Sequence, residues 1–170
     1  MNRLRAIHIF PKFIDARPIH EIRAKYDGLH SFIAPHVTLV FPFVSDITSA
    51  ALEQHVQNAV RAISPFALVL QSVTGAEGGY LFLNVKRGND EIIKLHDQLY
   101  TGLLRNFLNR NLTYMPHLTV GRIEDASVFQ LALSETESFV TPFATTVDEI
   151  AIESIADNGA STMEAVIRLD

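Results

Sequence analysis

The chain has 170 residues, no cysteine and a net charge of −5. That is enough length for one substantial core, but there is no disulfide framework, no thiol chemistry and none of the basic balance needed to wrap a long nucleic acid. Apolar residues at 48 % and charged residues at 19 % exclude wholesale disorder, and no apolar run approaches the roughly 20 residues of a bilayer span. Arg3 and Arg5 precede an apolar stretch that is interrupted by His8 and stopped by Pro11. This is not the pattern of a signal peptide, and with the absent cysteine it leads to the expectation of a cytoplasmic protein.

In chain order, Arg3 to Phe10 alternates loosely and predicts a strand, with Ala6, His8 and Phe10 on one face and Ile7 and Ile9 on the other. His8 reads as a residue lining or flanking a cleft rather than as a third catalytic histidine. Asp15-Ala16-Arg17-Pro18 starts a helix carrying Ile19, Ile22 and Tyr26 on one stripe, with Gly28 as its stop and Arg23 and Lys25 on a solvated face. A loop to Pro35, with an incidental His30, leads into a second strand. Ser45 or Asp46 then caps a helix whose stripe is Leu52, Val56, Val60 and Ile63, leaving His55 exposed.

Phe66 to Val73 and Tyr80 to Val85 read as a hairpin around Gly75-Ala76-Glu77-Gly78-Gly79, and Lys86 and Arg87 as its solvated end, with phosphate or ribose contact the sharper alternative. Asn89 or Asp90 opens a helix with Ile92, Leu95, Leu99, Leu103 and Phe107 on its stripe and His96 half-buried beside it. Asn109 to Met115 is a polar connection into another strand, followed by a helix from Asp125 or Ser127 through Leu133. Thr145 to Ile155 and Met163 to Leu169 close the chain as a hairpin around Asp157-Asn158-Gly159. The order is β-α-β-α-β-β-α-β-α-β-β. A helix followed by a strand of special composition occurs twice, so residues 1–170 are expected to form a single compact unit of two pseudo-symmetric lobes.

Those two strands carry one repeated pattern. Pro35-His36-Val37-Thr38-Leu39 and Pro116-His117-Leu118-Thr119-Val120 both read Pro-His-apolar-Thr-apolar, about half a chain apart. Strand parity puts each His beside its Thr on one face and the aliphatic residues on the other. A single His-x-Thr in a strand is ordinary, whereas two matched copies suggest a histidine supplied by each lobe to a shared cleft. Metal binding is the rival reading. It is disfavoured because cysteine is absent, no His-Glu-x-x-His occurs and Thr is a poor zinc ligand, so no metal and no cofactor are expected.

Two imidazoles can act as an acid–base pair across a phosphate, with Thr38 and Thr119 donating hydrogen bonds to its non-bridging oxygens. Gly121 shares the His117 and Thr119 face and leaves room there. Arg122 has the opposite parity and reaches the cleft only where the strand ends or twists. Tyr114, just before the second motif, is placed to stack on a base.

On these residues the chain resembles the two-histidine (2H) phosphoesterase superfamily, in its 2′-5′ RNA ligase-like branch. His36-Val37-Thr38-Leu39-Val40-Phe41 is similar to the branch's first motif, and Pro116-His117-Leu118-Thr119-Val120-Gly121-Arg122 to its second. Phe41-Pro42-Phe43 departs from it where a glycine is frequent. The resemblance implies an α+β fold of two lobes, with two antiparallel sheets, helices outside and a central cleft. It also implies metal-independent hydrolysis of 2′,3′-cyclic or 2′-5′-linked nucleotide or RNA-end phosphodiesters, or ligation in reverse. The expected catalytic residues are His36 and His117; the near-symmetry of the motifs leaves open which is acid and which is base, with His36 as acid and His117 as base the favoured order, and the expected substrate-binding residues are Thr38, Thr119, Arg122 and Tyr114. The expected partner is a nucleotide or RNA end, with no long nucleic-acid groove and no membrane. The alternatives are a non-catalytic nucleotide- or RNA-end-binding module and a structural domain that keeps the strands alone.

Overall fold

The alternating apolar stretches become strands, and the computed structural model, which describes residues 2–170, has eight of them. They are β1 (Arg3–Ile9), β2 (Val37–Ser45), β3 (Phe66–Ala76), β4 (Tyr80–Arg87), β5 (His117–Arg122), β6 (Phe143–Val147), β7 (Glu149–Ile155) and β8 (Ser161–Arg168). The helices are α1 (Arg17–Tyr26), α2 (Ser49–Val60), α3 (Asn89–Leu99) and α4 (Ala126–Thr136), with a 3-10 helix at Gly102–Phe107. Among the described residues no helix is long and apolar enough to cross a membrane.

Every strand pair is antiparallel, and the order is β6-β3-β4-β5-β2-β1-β7-β8. The two expected sheets are its halves, β6-β3-β4-β5 and β2-β1-β7-β8, joined edge to edge by one residue pair, Val37 with Leu118. The halves bury the same face. Val37, Leu39, Leu118 and Val120 are fully buried, each such side chain contributing about 1.5–3 kcal/mol. Helices cover that face crosswise: α1, which precedes β2, packs on β5, and α3, which precedes β5 in the chain, packs on β2. This exchange ties the halves together where the strand ladder is only one pair long.

The two halves also share an irregularity. In β5, Thr119 pairs with Phe82 and Gly121 with Leu81, so Val120 is an extra residue. In β2, Thr38 pairs with His8 and Val40 with Ile7, so Leu39 is extra in the same place of the motif. Each bulge leaves two consecutive buried residues, Leu39-Val40 and Val120-Gly121, and reverses the parity of the residues beyond it.

Three helix boundaries differ from expectation. Thr48, not Ser45 or Asp46, caps α2 by accepting from Ala51 N at 3.2 Å, because β2 runs on to a buried Ser45. α1 ends at Tyr26 with Asp27 extended (φ −117°), so Gly28 is not its stop. α3 ends at Leu99 rather than continuing through Leu103 and Phe107; Gly102 takes φ +45° and Leu103 is exposed. The strand expected over Thr145 to Ile155 is broken at Asp148 into β6, which pairs with β3, and β7, which pairs with β1 and β8.

Candidate active site

The Val37–Leu118 pair sets the register across the seam. One residue to either side, it places His117 opposite Thr38 and Thr119 opposite His36, all on the face that the helices leave open. His36 and His117 are then diagonal neighbours, a relation with Cα atoms roughly 7–8 Å apart. The two histidines and two threonines form a square. The rings are near enough for a charge on His117 to act on His36. Thr38, Thr119 and His117 also line a cavity of about 430 Å³ whose walls include Phe41, Tyr80, Phe82, Met115 and Glu77.

The two imidazoles are held in the same way. His36 Nδ1 lies 2.8 Å from the Ala34 carbonyl, and His117 Nδ1 lies 2.6 Å from the Met115 carbonyl. A carbonyl oxygen only accepts, so each Nδ1 carries the hydrogen and donates it. Each Nε2 is left as the nitrogen that can take or give a proton. Pro35 and Pro116 sit between each histidine and the carbonyl it binds, and fix the local extended backbone. The ring flanks differ: His117 stacks on Phe82, with centroids 3.6 Å apart, whereas His36 packs on His8 at 4.4 Å with Phe10 at 5.9 Å.

Burial lowers the pKa of both rings. His36 is lowered to about 4, chiefly by burial and further by the Arg23 cation and His117, against the Ala34 carbonyl and the Asp27 carboxylate. His117 is lowered by burial, against the Met115 carbonyl. At neutral pH both imidazoles are therefore neutral, and a phosphate anion between them would draw a proton back.

Arg23 is a residue that sequence reasoning misplaced. Expected on a solvated face, it is fully buried, because Ile19, Arg23 and Tyr26 form the inward stripe of α1. Its Nε donates to Asp27 Oδ2 at 2.7 Å, and Asp27 Oδ1 accepts from Leu29 N at 3.0 Å. The visible signal was an Arg and an Asp at (i, i+4), with the Arg inside the apolar stripe.

The β5 bulge corrects two further expectations. Gly121 faces the buried side, where a Cβ would stand 2.9 Å from Tyr26 Cβ; it makes room for α1, not for substrate. Arg122 returns to the open face opposite Tyr80, its guanidinium 5.1 Å from that ring, but it lines a separate cavity beside α1 with Tyr26 and Asp27 and not the one that holds His117. Tyr114 does not line the cavity. Its ring stacks on His96 at 3.6 Å and its hydroxyl donates to the Thr38 carbonyl at 2.7 Å, so it braces the first motif instead of presenting a face to a base. His96, expected to be half-buried, is buried with Nδ1 2.8 Å from the Leu39 carbonyl. His55, expected to be exposed, is partly buried, with Nε2 2.9 Å from the Leu99 carbonyl. Lys86 and Arg87 are exposed at the end of β4. Among the described residues, no group of three or more His, Cys, Asp or Glu side chains converges as a metal-ligand set.

A family model described as the 2′-5′ RNA ligase superfamily matches residues 10–159. A protein of Geobacillus kaustophilus named "Putative phosphoesterase" is 28 % identical over 144 residues, covering 83 % of this chain and 82 % of that protein. One of the same designation from Halalkalibacterium halodurans is 24 % identical over 170 residues, covering 96 % and 95 %. Among solved structures, Escherichia coli LigT complexed with 3′-AMP superposes with a TM-score of 0.67 at 16 % identity over 99 % of each chain. A Thermus thermophilus protein, TT0787, superposes with a TM-score of 0.65 at 14 % identity over 98 % of this chain and 97 % of its own. At those identities the structural likeness concerns the fold.

Proposed function

The chain belongs to the 2′-5′ RNA ligase superfamily and is a phosphoesterase of the two-histidine kind, and from that premise we propose that it opens 2′,3′-cyclic or 2′-5′-linked phosphodiesters of a nucleotide or RNA end without a metal ion. One observation carries this reading. Two histidines from motifs half a chain apart flank a single strand pair, each with Nδ1 donating to the carbonyl two residues before it and Nε2 unengaged.

The chemistry rests on that arrangement. The phosphoryl group lies between the rings, its non-bridging oxygens accepting from the Thr38 and Thr119 hydroxyls. One neutral Nε2 takes a proton from the attacking water, and the protonated Nε2 of the other ring gives one to the leaving ribose oxygen. Each positioned acid or base is worth about 10²–10⁴-fold, and phosphoryl transfer asks for little beyond positioning and charge stabilisation. With a ribose hydroxyl in place of the attacking water, the same two proton transfers join that hydroxyl to the cyclic phosphate while the ring oxygen leaves protonated. Because burial and the Arg23 cation hold His36 neutral, that ring suits the proton acceptor and His117 the donor, the opposite of the order favoured from the sequence. LigT has been crystallised with 3′-AMP and with ATP, and the aromatic walls formed here by Phe41, Tyr80 and Phe82 suit a nucleobase on the His117 side.

The test is a panel of 2′,3′-cyclic and 2′-5′-linked nucleotides assayed in EDTA with the wild type, His36→Ala, His117→Ala and the double variant. The expected result is EDTA-resistant turnover that each single change lowers by at least about 10²-fold, with folded protein throughout. Affinity without turnover on any member would identify a binding module instead. Activity lost to EDTA and restored by a divalent ion would overturn the two-imidazole reading.

A further inference from the structure

The two bulged motif strands give a residue-by-residue correspondence between the halves of the site. Thr119 pairs with Phe82 on β4, and Thr38 pairs with His8 on β1, at the same step before the bulge. Each of these partners then packs against the motif histidine of its own half. One half has a phenyl ring in this position. The other has an imidazole buried to 3 % exposure.

A buried histidine needs a partner, and His8 has one. Its Nε2 lies 3.5 Å from Oε2 of Glu153, which reaches the same face from β7 and is itself 4 % exposed. That is an ion-pair distance without a formed hydrogen bond, and both His8 Nδ1 and Glu153 Oε2 are buried and unpartnered. With Nε2–H directed at the carboxylate, Nδ1 carries a lone pair. A carboxylate and an acceptor nitrogen lodged beside one ring in low dielectric are costly when nothing positive stands near them. His36, a group able to become positive, stands one ring away, with centroids 4.4 Å apart.

We propose that Glu153 and His8 are positioning residues for His36: the carboxylate orients His8, and together they hold the His36 ring and stabilise the imidazolium that it becomes during turnover. His117, backed by Phe82, has no such support, so the halves of an otherwise matched site differ in charge stabilisation. The proposal rests on the two-histidine reading above and adds the residues that make it asymmetric. The charged or titratable groups acting on His36 are His8 from β1, Arg23 and Asp27 from α1 and His117 from β5, with Glu153 from β7 beyond His8. Burial and the His36 charge both disfavour a proton on His8, so its neutral form is the one in play. Burial raises the Glu153 pKa, and the Ser161 hydroxyl opposes that without a formed hydrogen bond.

The test is the ring titration of His36 and His117 by NMR with saturating inorganic phosphate, whose charge lifts His36 into the range where Glu153 is ionised, for the wild type, Glu153→Gln, His8→Phe and the double variant. It needs no turnover, so it stands even if the substrate assignment fails. His8→Phe copies the arrangement of the other half, and Glu153→Gln keeps the carboxamide in place should the first variant fold poorly. The expected result is a His36 titration lowered by on the order of half to one pH unit in either variant. The double variant should move it no further, because the carboxylate acts across His8, and His117 should stay within about 0.2 unit. The pH–rate limb belonging to His36 should shift equally in active variants. An unmoved His36 titration in Glu153→Gln would overturn the proposal, as would equal shifts of His36 and His117.

Discussion

Replacing Arg23 by Met tests whether a buried cation stands behind the first motif. The change keeps the length and apolar stem of the side chain but removes the donor 2.7 Å from Asp27 Oδ2, leaving a carboxylate in a setting where the pair's side chains are only 2 % and 7 % exposed. Breaking a buried pair on one side costs about 3–5 kcal/mol, a large part of the roughly 5–15 kcal/mol that stabilises a domain. At a urea slope of about 2 kcal/mol per M the midpoint falls by roughly 1.5–2.5 M. Arg23→Met with Asp27→Asn should recover most of that loss, since neutral residues leave no stranded charge and Asn can still accept from Leu29 N. The electrical consequence is separate. Arg23 is one of the influences holding His36 at about 4, so its removal should move the His36 titration upward, toward 6.5. Urea unfolding followed by far-UV circular dichroism measures the first effect, and NMR titration of the ring the second. A loss below about 1 kcal/mol together with an unmoved His36 would refute the argument that this pair is a buried charge acting on the site.

Three further outcomes are expected from the same contacts. Gly121→Ala puts a Cβ 2.9 Å from Tyr26 Cβ and 3.3 Å from the Tyr26 carbonyl, so α1 must shift. The expected cost is about 1–3 kcal/mol and a thermal midpoint lower by roughly 2–10 °C; an unchanged midpoint would show that the seam is loose. Tyr114→Phe removes the 2.7 Å hydrogen bond to the Thr38 carbonyl but keeps the stack on His96. It should cost about 1 kcal/mol and lower kcat with KM little changed, whereas a change confined to KM would restore a direct substrate contact. His8, His36, His96 and His117 are all held below the ordinary histidine pKa by burial. Their contribution to stability is complete above about pH 6.5 and is lost as pH falls below it, for His36 toward about 4, because the unfolded chain binds those protons first. Urea midpoints at about pH 7.5, 6 and 5 should fall in that order, and a flat profile over this range would contradict the burial of the rings.

The strands β1, β2 and β5, the β3–β4 hairpin and the start of α3 were legible in the sequence because apolar periodicity and turn residues are local signals. So was the pairing of each histidine with its threonine on one strand face, since parity from a histidine to the threonine beyond it needs no partner strand. Parity failed before the end of each motif. A bulge is an agreement between two strands, and nothing in Val120-Gly121-Arg122 alone says which residue the neighbour will leave unpaired. The break at Asp148 is similar: Thr145 to Ile155 reads as one extended segment, and only the competing edges of β3 and β1 decide that it serves both halves.

What the sequence by itself determined is the chemistry available: two imidazoles, two hydroxyls and an aliphatic backing, written in local patterns that survive any packing. Tertiary structure decided how these groups are used. It set the register that puts each histidine across from the other motif's threonine, turned Arg23 inward against Asp27, moved Tyr114 from a base to a strand, and brought Glu153 from β7 behind His8. Each of those depends on which surfaces meet, and contacts between residues far apart in the chain carry no periodic trace in either partner.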